Sequence, residues 1–232
     1  MTDEQKRAVV LVSGGMDSAT AAVEAQNQGY ELYFLHTSYG QETESKELEC
    51  ATDLAEYLDV ANFLHIETSH LARIGASSLT DDSIEIEEAD LDSDEIPSSY
   101  VPFRNANLLS MAVSYAEANE CDALFIGAHS EDYSGYPDCR PEFFDAFQQV
   151  IDVGTKPETN IELIAPFVDW SKTEIAERGS ELDVPYGITW SCYRDEAPAC
   201  GTCDACAFRL KAFQELSERD PIDYEKRPSY AD

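Results

Sequence analysis

The chain has 232 residues, 43% of them hydrophobic, enough to bury one substantial core and too few for two large independent domains. Aspartate and glutamate number 47 against 15 lysines and arginines, a formal net charge of -32, which leaves no broad basic footprint for gripping a nucleic-acid backbone. An apolar content typical of folded proteins excludes disorder as the origin of that charge. Acidic residues recur on the presumed exposed faces of helices (Glu42, Glu44, Glu47, Glu49) and in loops, so the charge reads as a surface property. It is the pattern expected of adaptation to high salt, where counterions screen self-repulsion.

Taken in chain order, the apolar run Ala8–Val12 predicts a buried strand. It is too short to span a bilayer and runs into Ser13-Gly14-Gly15 with no cleavage region of a signal peptide, so a cytoplasmic protein is expected. Ser18–Gln28 predicts a helix and Leu32–His36 a second strand, a β-α-β start. Leu48, Ala51, Leu54, Ala55 and Leu58 recur at helical spacing and predict a helix over Glu42–Leu58, with a strand at Phe63–Ile66. Thr80–Glu95 is acidic, with only Ile84, Ile86 and Leu91 as large apolar residues, and reads as a mobile excursion. A helix over Asn105–Ala118, strands at Ala123–Ile126 and Glu162–Ile164, a helix from Ser171 to Leu182 and one over Ala207–Leu216 follow. From Pro221 the chain reads as a tail or an interface arm. Strands alternating with helices imply an α/β fold with an open, mostly parallel, doubly wound sheet. A single domain over 1–232 is expected, with 186–217 as a cysteine-bearing C-terminal element.

Ser13-Gly14-Gly15-Met16-Asp17-Ser18 links the first strand to the first helix. There, free backbone N–H groups and the helix dipole favour a phosphate anion. The glycines permit close backbone approach, Ser13 and Ser18 add hydroxyl donors, and Asp17 can orient the loop or meet a Mg2+ ion bridging phosphates. A Gly-Gly turn in this position is also common for geometric reasons alone.

Seven cysteines divide into scattered Cys50, Cys121 and Cys139 and the crowded set Cys192, Cys200, Cys203 and Cys206. Four soft thiolates in one short segment suit a tetrahedral Zn2+, with an iron–sulfur cluster the competing occupant of the same ligands. Two polar strings lie where loops leave the sheet: Tyr100-Val101-Pro102-Phe103-Arg104-Asn105, and Ser130 to Arg140 with Asp138, Cys139 and Arg140 at its end. Ligands in open parallel sheets bind at the carboxyl ends of strands, although Gly135 and Pro137 would also make an ordinary turn.

SGGMDS matches the SGGxDS pyrophosphate loop of the ATP-pyrophosphatase superfamily. The strings VPFRN, DYSGYPDCR and SCYRDEAPACGTCDAC, with Tyr39-Gly40-Gln41 after the second strand, resemble the signature strings of the 7-cyano-7-deazaguanine synthase family, in the same order. The resemblance runs from about Val9 to about Arg209 and departs from the family in the acidic excursion and the charge excess. It implies an adenine nucleotide alpha hydrolase-like fold and a nucleotide-binding stretch at Val12, Ser13, Gly14, Gly15, Met16, Asp17, Ser18, Ala19, Thr20, Ala21 and Ala22. Asp17, Ser18 and Lys172 become candidate catalytic groups, Arg104, Asn105, Asp138 and Arg140 candidate substrate contacts, and Cys192, Cys200, Cys203 and Cys206 zinc ligands.

The implied reaction converts 7-carboxy-7-deazaguanine, ammonia and ATP to 7-cyano-7-deazaguanine for tRNA modification, with Zn2+ and Mg2+ as metals, in a homodimer that makes no direct contact with nucleic acid or membrane. Lys172 opens a helix against its dipole; by itself it is equally readable as a solvated lysine. His36 and His129 end strands and read as structural histidines as readily as functional ones. The alternatives are a tRNA sulfurtransferase on the same loop, which would want a basic surface and a catalytic cysteine pair, and a non-catalytic module binding zinc and nucleotide.

Overall fold

The computed structural model describes residues 5–81, 83–89, 91, 96–129 and 136–231. Its frame is a five-stranded parallel sheet of β1 (Arg7–Leu11), β2 (Glu31–Ser38), β3 (Asn62–Glu67), β4 (Ala123–Ile126) and β5 (Glu162–Ile164), in the order β3-β2-β1-β4-β5. The helices are α1 (Met16–Asn27), α2 (Glu44–Tyr57), α3 (His70–Ile74), α4 (Arg104–Ala118), α5 (Pro141–Gly154), α6 (Lys172–Glu181) and α7 (Asp204–Glu215).

Burial on both faces explains why β1 reads as an unbroken apolar run. Ala8 and Val10 pack into the core with α1, α2, α6 and α7, while Val9 and Leu11 pack into the opposite core with α4 and α5. A strand covered on both sides has no solvent face to fill with polar residues. Phe34 and Phe125, both 0% exposed, anchor the first core, each contributing about 1.5–3 kcal/mol by burial. The chain leaves β1 toward β2 and β3, then crosses back to place β4 on the other side of β1. The carboxyl ends of β1 and β4 therefore flank the crevice where open α/β sheets bind ligands.

Three features depart from the sequence reading. The sequence reading contains no element for α5, although Phe143, Phe144, Phe147, Val150 and Ile151 recur at helical spacing; Pro141 at its first turn suits a helix start. Glu47, expected on an exposed face, is half-buried and hydrogen-bonded to Gln41 and Thr43. The segment after Pro221 is neither a free tail nor an arm. Tyr224 bridges to Ala199, Glu225 N donates to Ala199 O at 2.8 Å, and Tyr230 Oη donates to Gly201 O at 2.9 Å. The anchor is Arg209 of α7, 0% exposed, whose guanidinium meets both carboxylate oxygens of Asp220 at 2.7 and 3.0 Å.

Glu42 and Glu49 are exposed as expected, and 15 cationic side chains cannot pair with 47 carboxylates. Screening of the remainder must come from solvent ions, whose Debye length falls from about 10 Å at 0.1 M to about 3 Å at 1 M. The melting temperature and activity are expected to rise steeply from about 0.1 to 1 M KCl and then level off. A flat or falling melt series over that range would show that the acidic surface does not govern stability.

Candidate active site

The loop Ser13–Gly15 leaves the carboxyl end of β1 and turns into α1. Gly14 has φ +86°, and a Cβ there would lie 2.4 Å from the carbonyl oxygen of Glu47 in α2, so only glycine lets the loop pack this closely. Ser13 N donates to Ser18 Oγ at 3.2 Å, Gly15 N to Ser13 Oγ at 3.2 Å and Ser18 Oγ to Gly15 O at 3.1 Å. These bonds hold the loop open around the α1 N-terminus, whose dipole attracts anions. Just beyond β4, a Cβ at Gly127 would lie 2.9 Å from Ser18 N; a side chain there would push into the first turn of α1.

Asp17 stands in that first turn and ion-pairs with Lys172, the first residue of α6. Lys172 is placed by a capping box: Ser171 N donates to Glu174 Oε2 at 2.8 Å and Glu174 N donates to Ser171 Oγ at 3.3 Å. His129, just beyond β4, lies 3.6 Å from Asp17 and 3.5 Å from Lys172 Nζ. Burial alone would raise the Asp17 pKa, but Lys172 and His129 outweigh it and hold the carboxyl below its usual range. The other oxygen, Oδ1, is buried with no hydrogen-bond partner among the described residues. An ionised carboxylate oxygen so placed fits a divalent cation or a donor on a bound ligand.

These groups line a cavity of about 560 Å³, a size suited to small-molecule substrates. Of the stretch expected to bind nucleotide, Val12, Ser13, Gly15, Asp17 and Ser18 line it. Met16, Ala19, Ala21 and Ala22 pack into the core, and Thr20 is buried against the Tyr186 hydroxyl at 2.8 Å. Arg104 and Asn105, at the start of α4, line the same cavity together with Tyr39, Gln41, Glu47, Tyr136 and Tyr193. Burial alone would weaken the charge of Arg104, but Tyr39, Tyr136, Cys139 and Tyr193 around it strengthen it. Its guanidinium carbon sits 5.8 Å from the centre of the Tyr136 ring.

Asp138 and Arg140 are not on the cavity wall. Asp138, 4% exposed, accepts the Asn105 backbone N–H at 2.8 Å, and its carbonyl accepts Asn105 Nδ2 at 3.0 Å; Arg140 is exposed at the start of α5. Ser130–Gly135, the first part of that polar string, lie outside the described residues. His36 is buried away from the loop surface, its Nδ1 2.8 Å from Val12 O, and burial pulls its pKa down to about 4. Of the two strand-end histidines, whose sequence positions leave structural and functional readings open, only His129 comes to the Asp17–Lys172 pair. Glu47 is the residue that sequence reasoning misses, since helical spacing puts it with solvent-facing glutamates.

The four sulfur atoms of Cys192, Cys200, Cys203 and Cys206 lie within 4.8 Å of one another, and all four residues are buried. Tetrahedral ligation at about 2.3 Å needs sulfurs about 3.8 Å apart, and Cys200 and Cys206 are at 3.9 Å. Arg194, Asp195 and Cys200 backbone N–H groups point at Cys192 Sγ, and those of Thr202 and Cys203 at Cys200 Sγ, all at 3.4 Å. Such donors suit thiolates that carry negative charge onto a metal, so the donor set fits zinc. The cluster also reaches the loop: Trp190 N donates to Gly14 O at 2.8 Å. No helix among the described residues is long and apolar enough to cross a membrane.

Comparison with known proteins agrees with this arrangement. The family model described as queuosine biosynthesis protein QueC matches residues 7–217. The 7-cyano-7-deazaguanine synthase of Haloarcula marismortui is 75% identical over 100% of both chains, and that of Halobacterium salinarum strain R1 is 73% identical over 97% of this chain and 98% of its own. Both relatives are haloarchaeal, in keeping with the acidic surface. NMN synthetase from Francisella tularensis, 18% identical, shares the fold with a TM-score of 0.50 over 93% of this chain and 79% of its own. A family match across nearly the whole chain, with three-quarters of the positions shared end to end by a relative, makes the protein a member of the QueC family, the 7-cyano-7-deazaguanine synthases.

Proposed function

We propose that the cavity binds ATP and 7-carboxy-7-deazaguanine side by side and joins the carboxylate to ammonia, forming 7-cyano-7-deazaguanine. The observation that carries this reading is the meeting, in one cavity, of a phosphate-binding loop with its Asp17–Lys172 pair and the polar group of Arg104 and Asn105. A carboxylate is a poor electrophile at neutral pH, so its oxygen must first be made a leaving group. Attack of the substrate carboxylate on the α-phosphate forms an acyl adenylate and releases pyrophosphate. Ammonia then displaces AMP to give the amide. A second adenylation, on the amide oxygen, lets AMP leave with that oxygen while two N–H protons are lost, and the nitrile remains.

In this mechanism the backbone N–H groups of the Ser13–Ser18 loop and the Ser13 and Ser18 hydroxyls hold the departing pyrophosphate. Lys172 moves its charge from Asp17 toward the phosphates, while Asp17 Oδ1 is the atom fitted to hold Mg2+, which would neutralise phosphate charge. Arg104 pairs with the substrate carboxylate and Asn105 contacts the ring. Asp138 acts on substrate through Asn105. Zinc in the four-cysteine element, 186–217 of a single domain, is structural because the ligand set is closed. We place the protein in the cytoplasm and as a homodimer, the latter supported by α5, which leaves Val150 and Val153 57% and 85% exposed, and by Phe103, 61% exposed and packed against Phe143.

The test is incubation with ATP, ammonium and 7-carboxy-7-deazaguanine, read by mass spectrometry for the nitrile and for AMP and pyrophosphate. Nitrile with release of pyrophosphate is the expected result. ATP binding with no turnover would favour a non-catalytic nucleotide module, and sulfur transfer to tRNA would favour the sulfurtransferase.

A further inference from the structure

We infer that Glu47 is the specificity-determining residue that reads the amino-pyrimidinone edge of the substrate; the inference rests on the substrate class proposed above. A guanine-like ring presents a ring N–H and an exocyclic amine side by side. Two oxygens of one carboxylate match that pair of donors, and an amide matches only one of them. A carboxylate in this role has to face the cavity, be held in one rotamer and have acceptor capacity left.

Glu47 meets each condition. Its side chain lines the cavity shared by the phosphate loop and Arg104. Its carbonyl is the atom that Gly14 packs against, so its backbone is locked to the loop. Gln41 Nε2 donates to one carboxylate oxygen at 3.0 Å and Thr43 Oγ1 to the other at 2.9 Å. Gln41 is itself pinned, its Oε1 accepting Tyr39 N at 2.8 Å. An ionised carboxylate accepts about four hydrogen bonds, so each oxygen retains room for one more. Burial makes an unaccompanied charge here costly and pushes the carboxyl up, with Gln41, Thr43 and Arg104 opposing it; bound N–H donors replace the water that burial removes.

Glu42, Glu87 and Asp204 also line the cavity, whereas three further carboxylates near it are held by partners of their own. Asp17 serves Lys172, Glu88 meets Arg194 and Thr202, and Asp138 holds Asn105 from beneath. Arg104 lies within electrostatic reach of Glu47 and is the cation for the substrate's own carboxylate.

The experiment compares 7-carboxy-7-deazaguanine with its counterpart lacking the 2-amino group, in wild type, Glu47→Gln and Glu47→Asp. Wild type is expected to prefer the amino compound. In Glu47→Gln the KM for that compound should rise about 10- to 100-fold, as for loss of a charge-assisted hydrogen bond, with a smaller change in kcat, and the preference should collapse toward unity. A packing defect would lower the rates for both compounds alike and leave the ratio standing. Glu47→Asp, which keeps the charge, should retain part of the preference, and it carries the test alone if the glutamine variant does not fold. An unchanged preference in the folded variants, or a wild type that converts both compounds equally, overturns the inference. A wild type that converts neither compound indicts the functional reading instead.

Discussion

Asp17→Asn and Ser18→Ala are each expected to slow nitrile formation by about a hundred- to a thousandfold, a loss of about 2.7–4 kcal/mol of transition-state stabilisation. Ser18 Oγ is tied to Ser13 N and Gly15 O, so its removal both deletes a donor and loosens the loop that must already be shaped when charge develops on the pyrophosphate. Asp17 pairs with Lys172 and lines the cavity, its Oδ1 buried with no hydrogen-bond partner among the described residues; asparagine keeps the shape and removes the charge. Pyrophosphate release under saturating ATP measures the effect, and thermal melts establish that the fold survives. Asp17→Asn removes the carboxylate that ion-pairs with Lys172, whose side chain is 10% exposed, so some loss of stability will accompany it, whereas Ser18→Ala should melt close to wild type. Rates near wild type in both variants would mean that the loop does not bind the reacting phosphates.

The largest effect on stability should come from the four-cysteine site. Structural zinc contributes about 10–16 kcal/mol of apparent binding free energy in zinc-finger peptides at neutral pH, and here the four thiols lie in the buried cluster that includes Trp190, Ala199 and Ile222. Cys203 is 0% exposed. Cys203→Ser is expected to lower solubility and to melt well below wild type, and metal analysis of wild type should give one zinc per chain. Because Trp190 N bonds Gly14 O, chelation should also weaken ATP binding before global unfolding, measurable by nucleotide titration of the chelated protein at low temperature. Iron with a visible charge-transfer band, or folded protein without metal, would sink the zinc assignment.

The frame of the fold was legible because two-sided burial writes itself locally. β4 and β5 fall where their apolar runs place them, and Ser171 announces the start of α6 by its capping partner three residues on. The loop, the cysteine spacing and the strings around Arg104 likewise depend on residues close in sequence. α5 escaped because its apolar face is broader than one buried stripe requires, with Val150 and Val153 outside the core.

What the chain alone could not reveal is which side chains meet. Lys172 and Asp17 are separated by 155 positions and become partners only because α6 packs against α1. The sequence by itself determined the strand–loop–helix that offers a phosphate site, the four thiols and the acidic surface, since each follows from short-range spacing or from composition. Tertiary structure alone decided that Asp138 lies beneath Asn105, that Glu47 faces the cavity and that Asp220 holds Arg209. The direction of a polar side chain is set by partners that arrive from elsewhere in the chain, and no local periodicity carries that information.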